Sequence, residues 1–369
     1  MIRHPTRTTR YLTRWIRGPG PIEEREMGMH RGQQPVPATV LIPESRGPHP
    51  SWIVLHGMTR PGRHHAQLRR FIHALAASRA VVVVPEVPEW RNLDLNPGLT
   101  VPTIRGALDL LRSMPEAASG PVGLVGFSFG SPQAILATTD PDIGGELAGA
   151  VGFGGYCDLE RTVRFQFTGY HEWDDVAQRA RPDPYGRWIV GANFLTSVPG
   201  YEGARDVASA LMELAREAGD RQIPARHPTM AERAAEQRTL LPPDQRSLFD
   251  LFTALNGVEP PEDEIDDLVL GLVSTARSIH PLLDPAGRLG SVTHPVHLLH
   301  GRDDPLIPYS EALRLERELS SAPTRCTVTR LFAHSRGAGR PPATSLLGEV
   351  SAFLTALDRI LGVPGPHHR

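Results

Sequence analysis

The sequence predicts an α/β fold: a doubly wound, mainly parallel sheet with helices on both faces and a helical subdomain inserted between two strands. Three observations predict it. Short runs such as SWIVL, VVVV and GLVGF are almost wholly apolar, as strands buried on both faces are. These runs alternate with segments whose apolar residues recur at helical spacing, the pattern of right-handed βαβ units. The alternation stops at Tyr156 and resumes at His294, a stretch far too long for a loop in a compact domain.

Taken in order, EEREMGMH and PVPATVLIP read as two early strands, and SWIVLHG as a third that is buried. HHAQLRRFIHALAASRA then places Leu68, Phe71, Ile72, Leu75 and Ala76 along one helical face. The β-branched run AVVVVPEV follows, then a helix in TVPTIRGALDLLRSM and a strand in PVGLVGFS. SPQAILATT is the next helix and LAGAVGFGGY the next strand. Inside the insertion, DPYGRWIVGANFLTSV, ARDVASALMELAREAG, TMAERAAEQRTLL and EDEIDDLVLGLVSTARSI read as helices, with no convincing strand among them. Proline-rich joints such as LPPD and VEPPED separate them. HPLLDPAGRLG leads back to a strand in HPVHLLHG. A helix in SEALRLERELSS, a strand in TRCTVTRLF and a terminal helix in ATSLLGEVSAFLTALDRIL complete the chain. The expected division is a basic N-terminal arm (1–20), an α/β core (21–155 and 290–369) and an inserted helical cap (156–289).

A chain of 369 residues with 40% apolar and 22% charged residues can build a large core. The net charge of −2 provides no global field for nucleic acid or an anionic membrane. Every basic residue is Arg, so catalysis by a lysine Schiff base is excluded. Cys157 and Cys326 stand far apart and outside any CxxC motif, which points away from a disulfide framework and toward a reducing, cytoplasmic compartment. No apolar run is long enough for a transmembrane helix. The first 17 residues carry five Arg and no acid. An extended arm packed on the domain is the expected state of this segment. The other reading is a short basic helix whose side bearing Tyr11, Leu12, Trp15 and Ile16 rests on a membrane surface or a partner.

Chemistry enters at PVGLVGFSFGSPQ. Gly126-Phe127-Ser128-Phe129-Gly130 fits G-x-S-x-G and sits between a strand and a helix. A nucleophile on such a turn has a strained backbone, and small flanking residues let strand and helix approach. Pro132 is tolerated because the first helical turn has no acceptor for its missing N–H. Serine at its free pKa is a poor nucleophile, and activation requires a base oriented by an acid.

With these residues in place the chain resembles the α/β-hydrolase superfamily, whose triad runs Ser, then Asp or Glu, then His. The resemblance covers about residues 21–155 and 290–362. It implies that Asp304, in the H-G-x-x-D stretch His300 to Asp304, is the acid, with the adjacent Asp303 as second candidate. It implies that His334, in RLFAHSRGAG after a strand and before the last helix, is the base; His367 and His368 sit at the chain end. His56-Gly57 matches the family's oxyanion loop, so the backbone N–H groups of Met58 and Phe129 are the expected oxyanion donors. Thr59 could add a hydroxyl. The H-G-G-G form of that loop is absent.

Other constellations carry less. His294, His297 and His300 recur every third residue, a spacing that cannot converge on one face of a strand, so no metal is expected. IGGELAGAVGFGGY lacks the fingerprint of a dinucleotide site, and no cofactor is expected. PPEDEIDD reads as a solvated helix start, and the aromatics of RFQFTGYHEW as packing between cap and core. The expected function is a serine hydrolase that cleaves a small-molecule carboxylic ester bearing an apolar group. Acyl transfer or amide and peptide cleavage with the same triad are the alternatives, and a non-catalytic scaffold is a further one.

Overall fold

The computed structural model describes residues 5–18, 20–254, 260, 262–331 and 346–364. Along the chain, helix α1 (Pro5–Arg17) precedes the hairpin β1 (Ile22–Arg31) and β2 (Gln34–Pro43). Then come β3 (Ser51–Leu55), α2 (Ala66–Ala77), β4 (Val81–Pro85), the single turn α3 (Pro88–Arg91), α4 (Thr100–Arg112), β5 (Val122–Phe127), α5 (Gly130–Ala137) and β6 (Leu147–Phe153).

The insertion holds α6 (Leu159–Thr168), a two-stranded ribbon β7 (Tyr170–Trp173) and β8 (Val176–Arg179), and five further helices. These are α7 (Tyr185–Phe194), α8 (Arg205–Arg221), α9 (Pro228–Leu240), α10 (Arg246–Thr253) and α11 (Glu262–Ile279). β9 (Val296–Gly301), α12 (Tyr309–Glu318), β10 (Thr324–Thr329) and α13 (Leu346–Gly362) complete the order.

Eight strands form one sheet in the order β1-β2-β4-β3-β5-β6-β9-β10. β2 runs antiparallel to β1 and β4, and every later pair is parallel. This strand order is that of the α/β-hydrolase fold, and the expected fold class holds. Strands β3 to β6 are covered on both faces, which is why they lack polar alternation. Val81 and Val83 of β4 point into one core layer with α4 and α5, whereas Val82 and Val84 point into the other with α2 and α13.

Two expectations are corrected. The N-terminal segment is helical rather than extended, and it packs on the domain: Tyr11 is buried edge-on against Phe71, and Thr8 bonds Asp358 of α13. Its apolar side is thus largely taken up by the core. The insertion, expected to hold no strand, contains the β7–β8 ribbon. Asp174 and Asp175 at its tip both have positive φ (53° and 61°), as a primed two-residue hairpin turn requires. Helices α6 and α10 were also not anticipated, because their aromatic residues obscure the periodicity.

Inside the insertion Arg187 is fully buried. Its guanidinium donates to the carbonyls of Gln166 and Phe167 at the end of α6 and of Phe252 at the end of α10. Carbonyls at helix C-termini lack intrahelical partners, and the cation also meets the negative end of each dipole. Arg187→Leu should leave the Gln166 and Phe167 carbonyls orphaned, Phe252 O keeping the Trp188 indole N–H, and lower stability by about 2–4 kcal/mol. Urea denaturation measures it; an unmoved midpoint would show that the carbonyls are satisfied without the guanidinium.

Candidate active site

Ser128 stands at the C-terminal end of β5, on the turn into α5, with φ +52°. A non-glycine residue in this region is strained, and the surrounding contacts hold it there. Its N–H donates to Phe153 O of β6 at 2.7 Å, and its carbonyl accepts from Ser131 N at 2.9 Å. The glycines of the motif are required by space. A Cβ on Gly126 would lie 2.0 Å from Gly130 O, and one on Gly130 would lie 3.1 Å from His56 O. The loop after β3 is equally close: a Cβ on Gly57 would stand 3.2 Å from Ser128 Cβ.

His56 sets the orientation of that loop. Its Nε2 lies 3.1 Å from the N–H of Val87, a group that can only donate, so Nε2 accepts and Nδ1 carries the proton. Nδ1–H then donates to Gly57 O at 2.8 Å. In a trans peptide C=O and N–H point oppositely, so the Met58 N–H is turned away from the imidazole. Met58, Ser128 and Phe129 line one cavity of about 830 Å³ together with Gly57 and Thr59.

Beneath His56 lies a buried carboxylate that sequence reasoning missed. Glu86, one residue past β4, has Oε1 3.2 Å from His56 Nε2 and Oε2 3.1 Å from Arg63 Nε. Burial opposes its charge, but the Arg91 and Arg63 guanidiniums hold the carboxyl below the usual carboxylate range. Arg63 also bonds Glu26 and Thr39, so the network reaches from the β1–β2 hairpin to the loop after β3. An acid directly after a strand was the only sequence signal for it.

The two adjacent aspartates separate sharply. Asp304 is 4% exposed; its Oδ1 accepts from the N–H groups of Leu306 and Ile307 at 2.9 and 3.1 Å. Its Oδ2 lies 3.4 Å from His300 Nε2, which donates to Ile307 O at 2.9 Å. Leu306 and Ile307 line the same cavity as Ser128. The Asp303 side chain is half exposed and faces Arg330 at 3.5 Å. His334 lies outside the described residues, as do His367 and His368. Three strand ends thus bring Ser128, the Met58 loop and the Asp304 loop to one cavity.

The insertion forms one part of the wall, through Val163, Ile189, Val190, Phe194, Leu272 and Leu283, and α1, α2 and α13 form another. It is joined to the loop after β3 by Arg60, whose Nε donates to Asp220 of α8 at 2.9 Å. A Cβ on Gly219 would sit 2.6 Å from Arg60 Cγ, so glycine there makes room for the arginine stem. Both ends of the insertion are held to the core. Glu311 Oε2 accepts from the N–H groups of Cys157 and Asp158 at 2.9 Å each, and Gln133 Nε2 of α5 donates to Leu282 O at 3.0 Å.

No family model matches the chain, and no curated protein matches it in sequence. Among solved structures it is similar to an acylaminoacyl peptidase from Pyrococcus horikoshii, at 13% identity and a TM-score of 0.48, over 92% of this chain and 41% of that one. It thus spans less than half the length of that protein. It is also similar to a Pyrococcus furiosus esterase (12% identity, TM-score 0.46, 92% of each chain). A third is a 2,6-dihydroxy-pseudo-oxynicotine hydrolase (17% identity, TM-score 0.44, 96% of this chain and 71% of that one). None of the three reaches a TM-score of 0.5, and the fold assignment stands on strand order and direction.

Glu86 has a pH consequence. With a folded-state pKa below its ordinary 4.5, it adds stability that is fully present above that value and is lost as pH falls through the lowered pKa. Glu86→Gln should therefore cost stability near neutral pH and flatten the acid limb of the stability curve. Denaturation midpoints taken from about pH 7 to about pH 3 test this; parallel curves for the two proteins would contradict it.

Proposed function

We propose that the chain is a serine hydrolase that cleaves a carboxylic ester through Ser128, His334 and Asp304. The observation that carries this reading is Ser128 itself: held at φ +52° between a strand and a helix, it faces a largely apolar cavity beside the Met58 loop. A structural serine has no need of that backbone strain.

In this mechanism Ser128 Oγ attacks the ester carbonyl while His334 takes its proton. The tetrahedral oxyanion is met by the N–H groups of Met58 and Phe129. Collapse expels the alcohol, which receives the proton from His334, and leaves Ser128 acylated. Water, deprotonated by His334, attacks the acyl carbon, and Ser128 leaves with the proton. Asp304 holds the imidazole in the required tautomer. Its burial and its two backbone N–H bonds support this role over Asp303, which Arg330 draws outward. The position of His334 three residues beyond Leu331, a residue of the cavity wall, supports its assignment as base.

Residues 156–289 are proposed to act as a cap over the site, with 21–155 and 290–369 as core. Their apolar helix faces bound the cavity, which excludes water and favours a substrate with an apolar group. Acyl transfer and amide cleavage require the same groups; product analysis with added alcohols and assays on aminoacyl arylamides separate them.

Ser128→Ala should abolish turnover and labelling by a fluorophosphonate while the protein stays folded. His334→Ala should lose on the order of 10⁴–10⁶ in kcat, since members of such a unit act together. Asp304→Asn should be severe and Asp303→Asn mild. Labelling of the Ser128→Ala protein would end the proposal, and the reverse order of the aspartates would move the acid. Wild-type activity should rise with the loss of one proton between about pH 6 and 7.5. A rate flat across that range would exclude His334 as base.

A further inference from the structure

Two side chains that line the cavity beneath the insertion carry buried polar atoms without a hydrogen-bond partner among the described residues. One is Gln166 Oε1 on α6, and the other is Tyr185 Oη at the start of α7. Both side chains line the cavity, and Gln166 is only 7% exposed. The packing around them leaves room for polar side chains. The Gln166 amide lies against Gly186, where a Cβ would come 2.4 Å from Nε2. Tyr185 Oη lies beside Gly219 of α8, 3.2 Å from where a Cβ would stand.

An unpaired amide or hydroxyl in an apolar wall is destabilising, and leucine and phenylalanine at these positions would avoid that cost. The charges nearby narrow what could pair with them. No arginine is among the described residues lining the cavity. The buried carboxyl that does line it, Asp183, already accepts the N–H of Tyr185 at 3.0 Å and is pushed up by burial. The Arg60 guanidinium near Tyr185 is already paired with Asp220, so an anionic group would find no free counter-charge there. A plain hydrocarbon would leave both polar atoms unpaired.

We propose that this part of the cavity recognises a neutral hydrogen-bonding group of the substrate, a hydroxyl or an amide, through Gln166 and Tyr185. The inference rests on the reading of Ser128 as an ester-hydrolase nucleophile. It adds a polar requirement to a substrate whose remaining surface is apolar. The amide of Gln166 both donates and accepts, and the Tyr185 phenol, kept neutral by burial, can donate. A site built to bond a substrate hydroxyl or N–H discriminates strongly against an analogue that lacks it.

The test uses pairs of activated aryl esters matched in length, one acyl chain carrying a terminal hydroxyl or an internal amide and the other plain alkyl. Wild type should favour the polar member by about tenfold or more in kcat/KM. Gln166→Leu and Tyr185→Phe, both close in volume, should each shrink that ratio several-fold, chiefly by slowing the polar substrate. The ratio is read within one protein, so a general loss of activity or stability in either variant leaves it unmoved. A wild-type ratio of one or below, or a ratio retained in both variants, overturns the inference. Fluorophosphonate labelling of wild-type Ser128 separates the two levels. Labelling without polar preference removes this inference alone, and absence of labelling removes the reading beneath it.

Discussion

The approach of β5 to α5 across one residue governs the site, because strand and helix can meet this closely only where Gly126 and Gly130 leave no side chain between them. Ser128 absorbs the turn with a positive φ, a strain of roughly 1–3 kcal/mol for a non-glycine residue. β5 can bear it because it lies between β3 and β6, with its apolar residues buried on both faces. The bond from Ser128 N to Phe153 O then fixes the turn against the end of β6, and Gly57 brings the loop after β3 into contact with it.

The placement of the insertion depends on the same sheet edge. It leaves at the end of β6 and returns ahead of β9, and these two strands are neighbours in the sheet. Glu311 gathers the outgoing backbone at Cys157 and Asp158 and pairs with Arg161 of α6 at 2.9 Å. Asp284 takes the N–H of Leu159 and the Arg277 guanidinium on the returning side. A subdomain clamped at both crossings is confined to the edge where the strands end. Its helices bury their apolar faces on one another and on the core there. Arg60 extends the connection to the loop that presents Met58, so the position of α8 and the shape of that loop are mechanically linked.

Having no lysine, the chain ties its distant segments together with guanidinium groups. Arg69 grips Glu24 with two bonds of 2.9 Å, Arg31 forks onto Glu89, and Arg187 reaches three helix-end carbonyls at once. A planar fork of five donors suits such contacts, and a single ammonium could not reproduce them. The buried members matter most. Removing Arg63 would leave Glu86 an under-compensated charge beneath His56, with consequences for the backbone that His56 orients.

The sequence by itself determined the alternation of buried strands and helices, the strand–turn–helix setting of Ser128, and the long interruption of that alternation between Tyr156 and His294. These are local matters: periodicity of apolar residues, and a steric need for small residues beside one strained position. The same locality misled where side-chain character outweighed period, as in the β7–β8 ribbon, whose turn has two aspartates rather than the usual glycine. The resemblance ranked Asp304 above Asp303, but only the tertiary structure gave the two carboxylates different surroundings, by turning one inward onto Leu306 and Ile307. It alone placed Glu86 under His56, and gathered Gln166 and Tyr185 on the wall of one cavity. The groups that meet at these points are not neighbours in the chain. Burial and the cost of an unpaired polar atom are properties of the packed chain, and no spacing along the sequence encodes them.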